Sequence, residues 1–149
     1  MDLTLNVSDL SSLSAEQKNA ILQALFLALG IDREVNPEEL ARFEHELASI
    51  PWGLEHSLLQ QMVQAARVRR KLVSGSDETL AWIREIASHL PTPAVKEKTL
   101  AAMSRIAMAQ GINRAERGLL NTFASVLELP AERLEQLRQA LLAASASPA

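Results

Sequence analysis

The chain has no cysteine, no tyrosine and only five glycines among its 149 residues. Without cysteine there is no disulfide, no thiolate metal site and no cysteine nucleophile. With so few glycines there is little phosphate-cradling loop, and neither a P-loop nor a dinucleotide fingerprint occurs. No serine sits in a G-x-S-x-G elbow, and no H-E-x-x-H occurs. Aromatic residues make up 3%, and they do not interleave with basic residues as base-stacking surfaces require. The formal net charge is −3, which gives DNA or an anionic membrane no electrostatic reason to bind. No apolar run is long and unbroken enough to span a bilayer. Near Met1 there is no basic stretch followed by an apolar run. A soluble, cytoplasmic protein is expected, with no nucleic-acid partner and no membrane insertion.

What is present is helical periodicity. No segment alternates with period two over a useful length. The spacing predicts one all-α domain of about seven helices. Residues 1–13, rich in Ser and Asp, are expected as a flexible arm. The domain is expected over 14–144, with a frayed tail at 145–149.

The organising stretch is Gly30 to Leu40, GIDREVNPEEL. Ala20 to Leu29, AILQALFLAL, precedes it and is apolar almost all round, so it predicts a buried helix. Gly30 can stop that helix. Asn36 is a good N-cap, Pro37 suits the first helical position, and Glu39 can reach back to the cap as a capping box. Val35 and Leu40 have the spacing of a hydrophobic staple. The unit recurs: Ile112, Asn113 and Glu116 stand where Val35, Asn36 and Glu39 stand, after a second apolar run, Leu100 to Met108. A duplicated helical hairpin follows, with its two buried helices expected side by side as the core.

Other elements follow from caps and breakers. Ser14 with Gln17 opens the first helix. Pro51 ends the second, on which Leu40, Phe43, Leu47 and Ile50 share a face. The third runs from about Leu54 to Leu72, with Leu58, Leu59, Met62, Ala65, Ala66 and Val68 as its apolar stripe. Ser76 or Asp77 caps the fourth, and Thr92 with Pro93 opens the fifth, which ends near Gln110. The sixth runs from Asn113 to Leu127. The last starts at Pro130, with Leu134, Leu137, Leu141 and Leu142 inward.

Two hairpins of the form A-x-D-G-x-I-x-x-x-E resemble the tellurite-resistance TerB-like family. Asp32, Arg33, Val35 and Glu39 fall on that family's Asp, Gly, aliphatic and Glu positions. Ala109, Gln110, Ile112 and Glu116 do so in the second copy. The phrase LLNTFASVLELPAERLEQL, Leu119 to Leu137, is similar to the family's C-terminal hairpin. The resemblance implies an all-helical fold and a setting in bacterial tellurite and stress responses. It further implies protein partners in complexes near the inner membrane, and a divalent metal held by acidic residues.

Each candidate group carries two readings. Asp32, Glu34, Glu38 and Glu39 offer the oxygen ligands that calcium or magnesium takes. They equally suit the positive end of a helix dipole, worth about 0.3–1 kcal/mol each. Glu116 with Asn113 repeats the choice. The expected metal ligands are therefore Asp32, Glu39 and Glu116. His45, His56 and His89 form no pair at ligand spacing. Arg67, Arg69, Arg70 and Lys71 make either an anion patch or a complement to a helix C-terminus. Trp52 and Trp82 either anchor a partner or half-bury with solvated N–H groups.

Three functions compete: a non-enzymatic interaction module working through the face at 32–39, a divalent-cation sensor, and a helical enzyme or cofactor binder. The third requires a polar pocket between the two central helices, and Ala20–Leu29 offers only Gln23 there.

Overall fold

The computed structural model describes residues 3–29, 37–110 and 114–146. Among them are eight α-helices, one 3-10 turn and no strand. The helices are α1 (Val7–Ser11), α2 (Ala15–Ala28), α3 (Pro37–Ser49) and α4 (His56–Leu72), then α5 (Gly75–His89), α6 (Pro93–Ala107), α7 (Arg114–Leu127) and α8 (Ala131–Ala146); Met108–Gln110 is the 3-10 turn.

The caps expected at Ser14 and Thr92 hold. The Ser14 hydroxyl accepts from the Gln17 backbone at 3.2 Å, and the Gln17 side chain accepts from Ser14 N–H at 2.8 Å. Thr92 caps α6 through Val95 N–H at 3.2 Å. The capping box assigned to Asn36 and the staple from Val35 lie outside the described residues. At α5 the helix begins at Gly75, a residue ahead of the expected caps, and the Glu78 carboxylate accepts from Ser74 N–H at 2.8 Å.

The two hairpin helices form the centre. α2 and α6 pack against each other, and both are buried around most of their circumference. α4 and α5 cover α2, while α7 and α8 cover α6. α3 bridges the two, with Phe43 meeting Phe26 edge-on at 4.7 Å.

Three expectations are corrected. Residues 3–13 do not form a flexible arm. Asn6 and Asp9 make a reciprocal capping box around α1, and Leu5, Leu10 and Leu13 enter the core. The tryptophans are not half-buried with solvated N–H groups. Trp52 donates to the Leu47 backbone carbonyl at 3.0 Å and the fully buried Trp82 to the Gln23 side-chain Oε1 at 2.7 Å. Several leucines and valines expected inside face out. Leu40 is 43% exposed, Leu58 38%, Val68 54% and Leu142 49%. The apolar arcs of these helices are wider than the surfaces that cover them.

Candidate functional site

α3 is the element that places the candidate acidic site, and its inner face is fixed by charge. Glu46 is buried at 3% exposure. Its carboxylate accepts two bonds from Arg105 of α6, at 2.7 and 3.1 Å, and a third from Arg42 at 2.7 Å. Arg105 reaches on to the Leu3 carbonyl at 3.3 Å. One carboxylate thus joins α3, α6 and the N-terminal segment. Two-pronged guanidinium–carboxylate pairing fixes orientation as well as distance. Arg42–Glu46 is legible as an i, i+4 pair, but nothing in the sequence marks Arg105 as the third member.

The first turn of α3 then points in two directions. Glu38 is exposed, whereas Glu39 is 2% exposed. Both interact with neighbouring groups. Carboxylates here face the positive end of the helix dipole. α3 also packs on the 3-10 turn that follows α6, which brings the first hairpin against the second. Asp32, Glu34, Asn36, Asn113 and the Glu116 side chain lie outside the described residues. Glu39 is therefore the one expected ligand whose surroundings are described. Among the described residues no group of three or more His, Asp or Glu side chains could hold a metal ion.

The outward face of α3 carries Glu38, Leu40, Ala41, Glu44 and His45, all exposed. His56 pairs with Gln60 at 2.9 Å, and His89 Nδ1 lies 2.9 Å from the Glu85 carbonyl. The three histidines sit on three different helices. The basic end of α4 is partly engaged: Arg69 pairs with Glu85 at 2.8 Å and lies over the Trp82 ring at 5.6 Å, and Arg67 bonds Gln64 at 2.8 Å.

A polar pocket of about 130 Å³ is lined by Glu16, Asn19, Gln23, Glu85 and His89. It lies between α2 and α5, not between α2 and α6 where an enzyme was expected to have it. A second concavity, about 610 Å³, is an open and mainly apolar groove among α6, α7 and α8, with Leu100, Leu120, Leu134 and Leu141 in its wall.

Two further ion pairs fasten helices to α6. Arg133 of α8 makes two bonds of 2.7 Å to Glu97, and this contact raises the arginine pKa above its ordinary value. Lys98 bonds Asp9 at 2.7 Å. Burial pushes the Asp9 carboxyl up. The bonds from the Lys98 ammonium and the Asn6 N–H outweigh that and hold it below its ordinary value. No helix among the described residues is long and apolar enough to cross a membrane.

Compared with curated proteins and with solved structures, the chain has no significant match. The family described as tellurite resistance protein TerB does match, over residues 18–139. That span runs from the first turn of α2 into α8 and takes in both hairpins and everything packed between them, so the chain belongs to the TerB family.

Proposed function

We propose that the protein is a non-enzymatic interaction module of the TerB type, acting in the cytoplasm in a bacterial stress response, with the outer face of α3 as its working surface. The observation that carries this reading is the two-sidedness of α3. Phe43 and the Glu46–Arg105 pair fix the inner face, while Glu38, Leu40 and Glu44 stand exposed on the outer one. A helix held rigidly from behind loses little freedom when a partner binds in front, and that lowers the cost of association. The chemistry fits a protein partner offering basic groups around an apolar contact.

A photo-crosslinking amino acid at Leu40 tests this, with the same group at the exposed Gln139 as control. A discrete adduct from position 40 alone, abolished by Glu38→Arg with Glu44→Arg, is the expected result. Equal adducts from both positions, or none from Leu40, would overturn it.

The burial of Glu39 favours a second reading, a divalent-cation sensor with Asp32 and Glu39 as ligands and Glu116 beside them. Thermal melting with calcium, magnesium, manganese and zinc decides it. A cation bound at a hundredfold its dissociation constant stabilises by about 2.7 kcal/mol, and the shift should vanish in Asp32→Ala. No shift with any cation leaves these acids as capping and dipole groups.

A further inference from the structure

α3 is held by little apolar contact. Of its thirteen residues only Glu39, Phe43 and Glu46 are buried, with Leu47 half-buried. Contact area therefore contributes less here than in α2, and the Glu46 carboxylate carries more of the attachment. Residues 3–13 are a second lightly held element, a short lead and a five-residue helix that put Leu5, Leu10 and Leu13 into the core. Both elements lie on α6, and they meet at one side chain. Lys98 and Arg105 are seven residues apart, two helical turns, so they share a face of α6. Lys98 takes the Asp9 carboxylate at 2.7 Å. Arg105 donates to the Leu3 carbonyl through Nη1 at 3.3 Å. Residues 3–9 therefore run antiparallel to α6 as a strap fastened at both ends. The same Arg105 donates to Glu46 of α3 through Nε at 2.7 Å and Nη2 at 3.1 Å. Arg42 adds one bond to that carboxylate, at 2.7 Å. A guanidinium is planar and its N–H groups have fixed directions. With Nη1 on Leu3 and the other two nitrogens on Glu46, a shift of either acceptor turns the plane away from the other.

We propose that residues 3–13 are a strap that controls the hold on α3: strap and α3 open as one cooperative unit, joined through Arg105, while α8 opens on its own. Closed, the strap gives Nη1 its acceptor and keeps water from that side of the Arg105–Glu46 pair, which is stronger for being partly desolvated. Open, the guanidinium hydrates, the pair weakens toward the value of an exposed one, and α3 keeps Phe43 as its main anchor. A binder that draws off Leu5 and Leu10 would therefore loosen α3. α8 is attached separately. Arg133 makes two bonds of 2.7 Å to Glu97, and Leu137 and Leu141 are buried. The coupling is a property of the fold and does not rest on the partner proposed for the outer face of α3.

Native-state hydrogen exchange on the full chain tests this, because each amide reports the opening that exposes it. Lys98→Met unfastens one end of the strap and leaves Arg105 and the α1 capping box in place. It should speed exchange at the Leu10 amide by roughly threefold to fivefold. The amides of Phe43, Glu46 and Leu47 in α3 should speed by the same factor, and those of Leu137 and Leu141 in α8 should not. Arg105→Lys keeps the charge but cannot reach both acceptors. In that background Lys98→Met should still speed Leu10 and leave α3 unchanged. Helical circular dichroism confirms that each variant is folded. A response at Leu10 alone in Lys98→Met would overturn the proposal, because the two elements would then open separately. So would no response at Leu10, since the ion pair would not fasten the strap. An equal response in α8 would do the same, because the strap would then open only with the whole fold. An α3 response that survives Arg105→Lys would place the coupling in other contacts and overturn the role given to Arg105.

Discussion

α2 and α6 are the matching helices of a repeated hairpin, and they hold their neighbours by different physics. α2 is apolar on nearly every side. Its one polar residue in the buried stretch, Gln23, is taken up by the Trp82 N–H. α6 is as deeply buried yet carries Glu97, Lys98, Thr99, Ser104 and Arg105. Three of these reach α8, the N-terminal segment and α3 through ion pairs. Apolar contact is non-directional and rewards area. A guanidinium–carboxylate fork rewards one geometry. α2 therefore supplies cohesion, and α6 determines where three other elements sit.

The sharpest test compares one residue from each helix system. Leu25 is fully buried in α2, and Leu25→Ala should cost about 3–4 kcal/mol through lost transfer free energy and the cavity left behind. Glu46→Ala should cost about 2–3 kcal/mol. Removing one member of a buried pair strands the other, but Arg105 and Arg42 retain 23% and 37% exposure and can turn toward water. Urea unfolding measures both. The two should then part. Glu46→Met with Arg105→Met replaces the pair by apolar groups of similar length and should recover most of the stability, whereas no single partner change refills the Leu25 cavity. If the double variant is no better than Glu46→Ala, α6 contributes cohesion as α2 does and the contrast fails.

How much of this was legible follows the same line. The burial of α2 and α6 could be read from Ala20–Leu29 and Leu100–Met108, because an all-round apolar run depends on no particular neighbour. The caps at Ser14 and Thr92 were readable because capping is local. What could not be read was long-range. Glu46 and Arg105, and likewise Gln23 and Trp82, are 59 residues apart, and no local pattern pairs them. The N-terminal segment shows the difference within one stretch. Asn6 with Asp9 is a local capping signal overlooked amid a polar composition. The burial of Leu5 and Leu10, by contrast, depends on contacts beyond the segment. At the candidate site the acidic first turn of α3 was visible, but the opposite exposures of Glu38 and Glu39 were not. Adjacent helical residues point to different sides, and only packing decides which side is covered.

Thr99 gives a smaller test of how polar groups on α6 are tolerated. It is fully buried, and its hydroxyl has no hydrogen-bond partner among the described residues, unlike Ser104, which donates to the Leu100 carbonyl at 2.8 Å. A buried hydroxyl without a bond costs about 1–3 kcal/mol. Thr99→Val keeps the shape and removes that group, so it should stabilise the fold by about 1 kcal/mol. Ser104→Ala removes a satisfied hydroxyl and should not. A rise in urea midpoint for both would mean that α6 carries no polar group the fold requires apart from its ion pairs.

The smallest effect should be local and pH-dependent, at the clasp between α6 and α1. Asp9 is held below its ordinary value of 3.8, so its carboxylate binds protons less readily in the folded state than in the unfolded chain. A depressed acid stabilises above the unfolded value, and that contribution disappears as pH falls through the folded one. Between about pH 4 and more acidic solution, α1 should loosen from Lys98 while the apolar contacts of α2, which carry no titrating group, hold. The amide of Leu10, bonded to the Asn6 carbonyl at 3.1 Å, is the reporter. Its hydrogen-exchange protection should fall over that range ahead of the amides of α2. In Asp9→Asn the protection should be lower at neutral pH and show little further change on acidification, because the charge that titrates is gone. If Leu10 and the α2 amides lose protection together in both proteins, the N-terminal segment opens only with the whole fold. Leu5, Leu10 and Leu13 would then bind it by the same apolar contact that holds α2, and the ion pair would not set its stability.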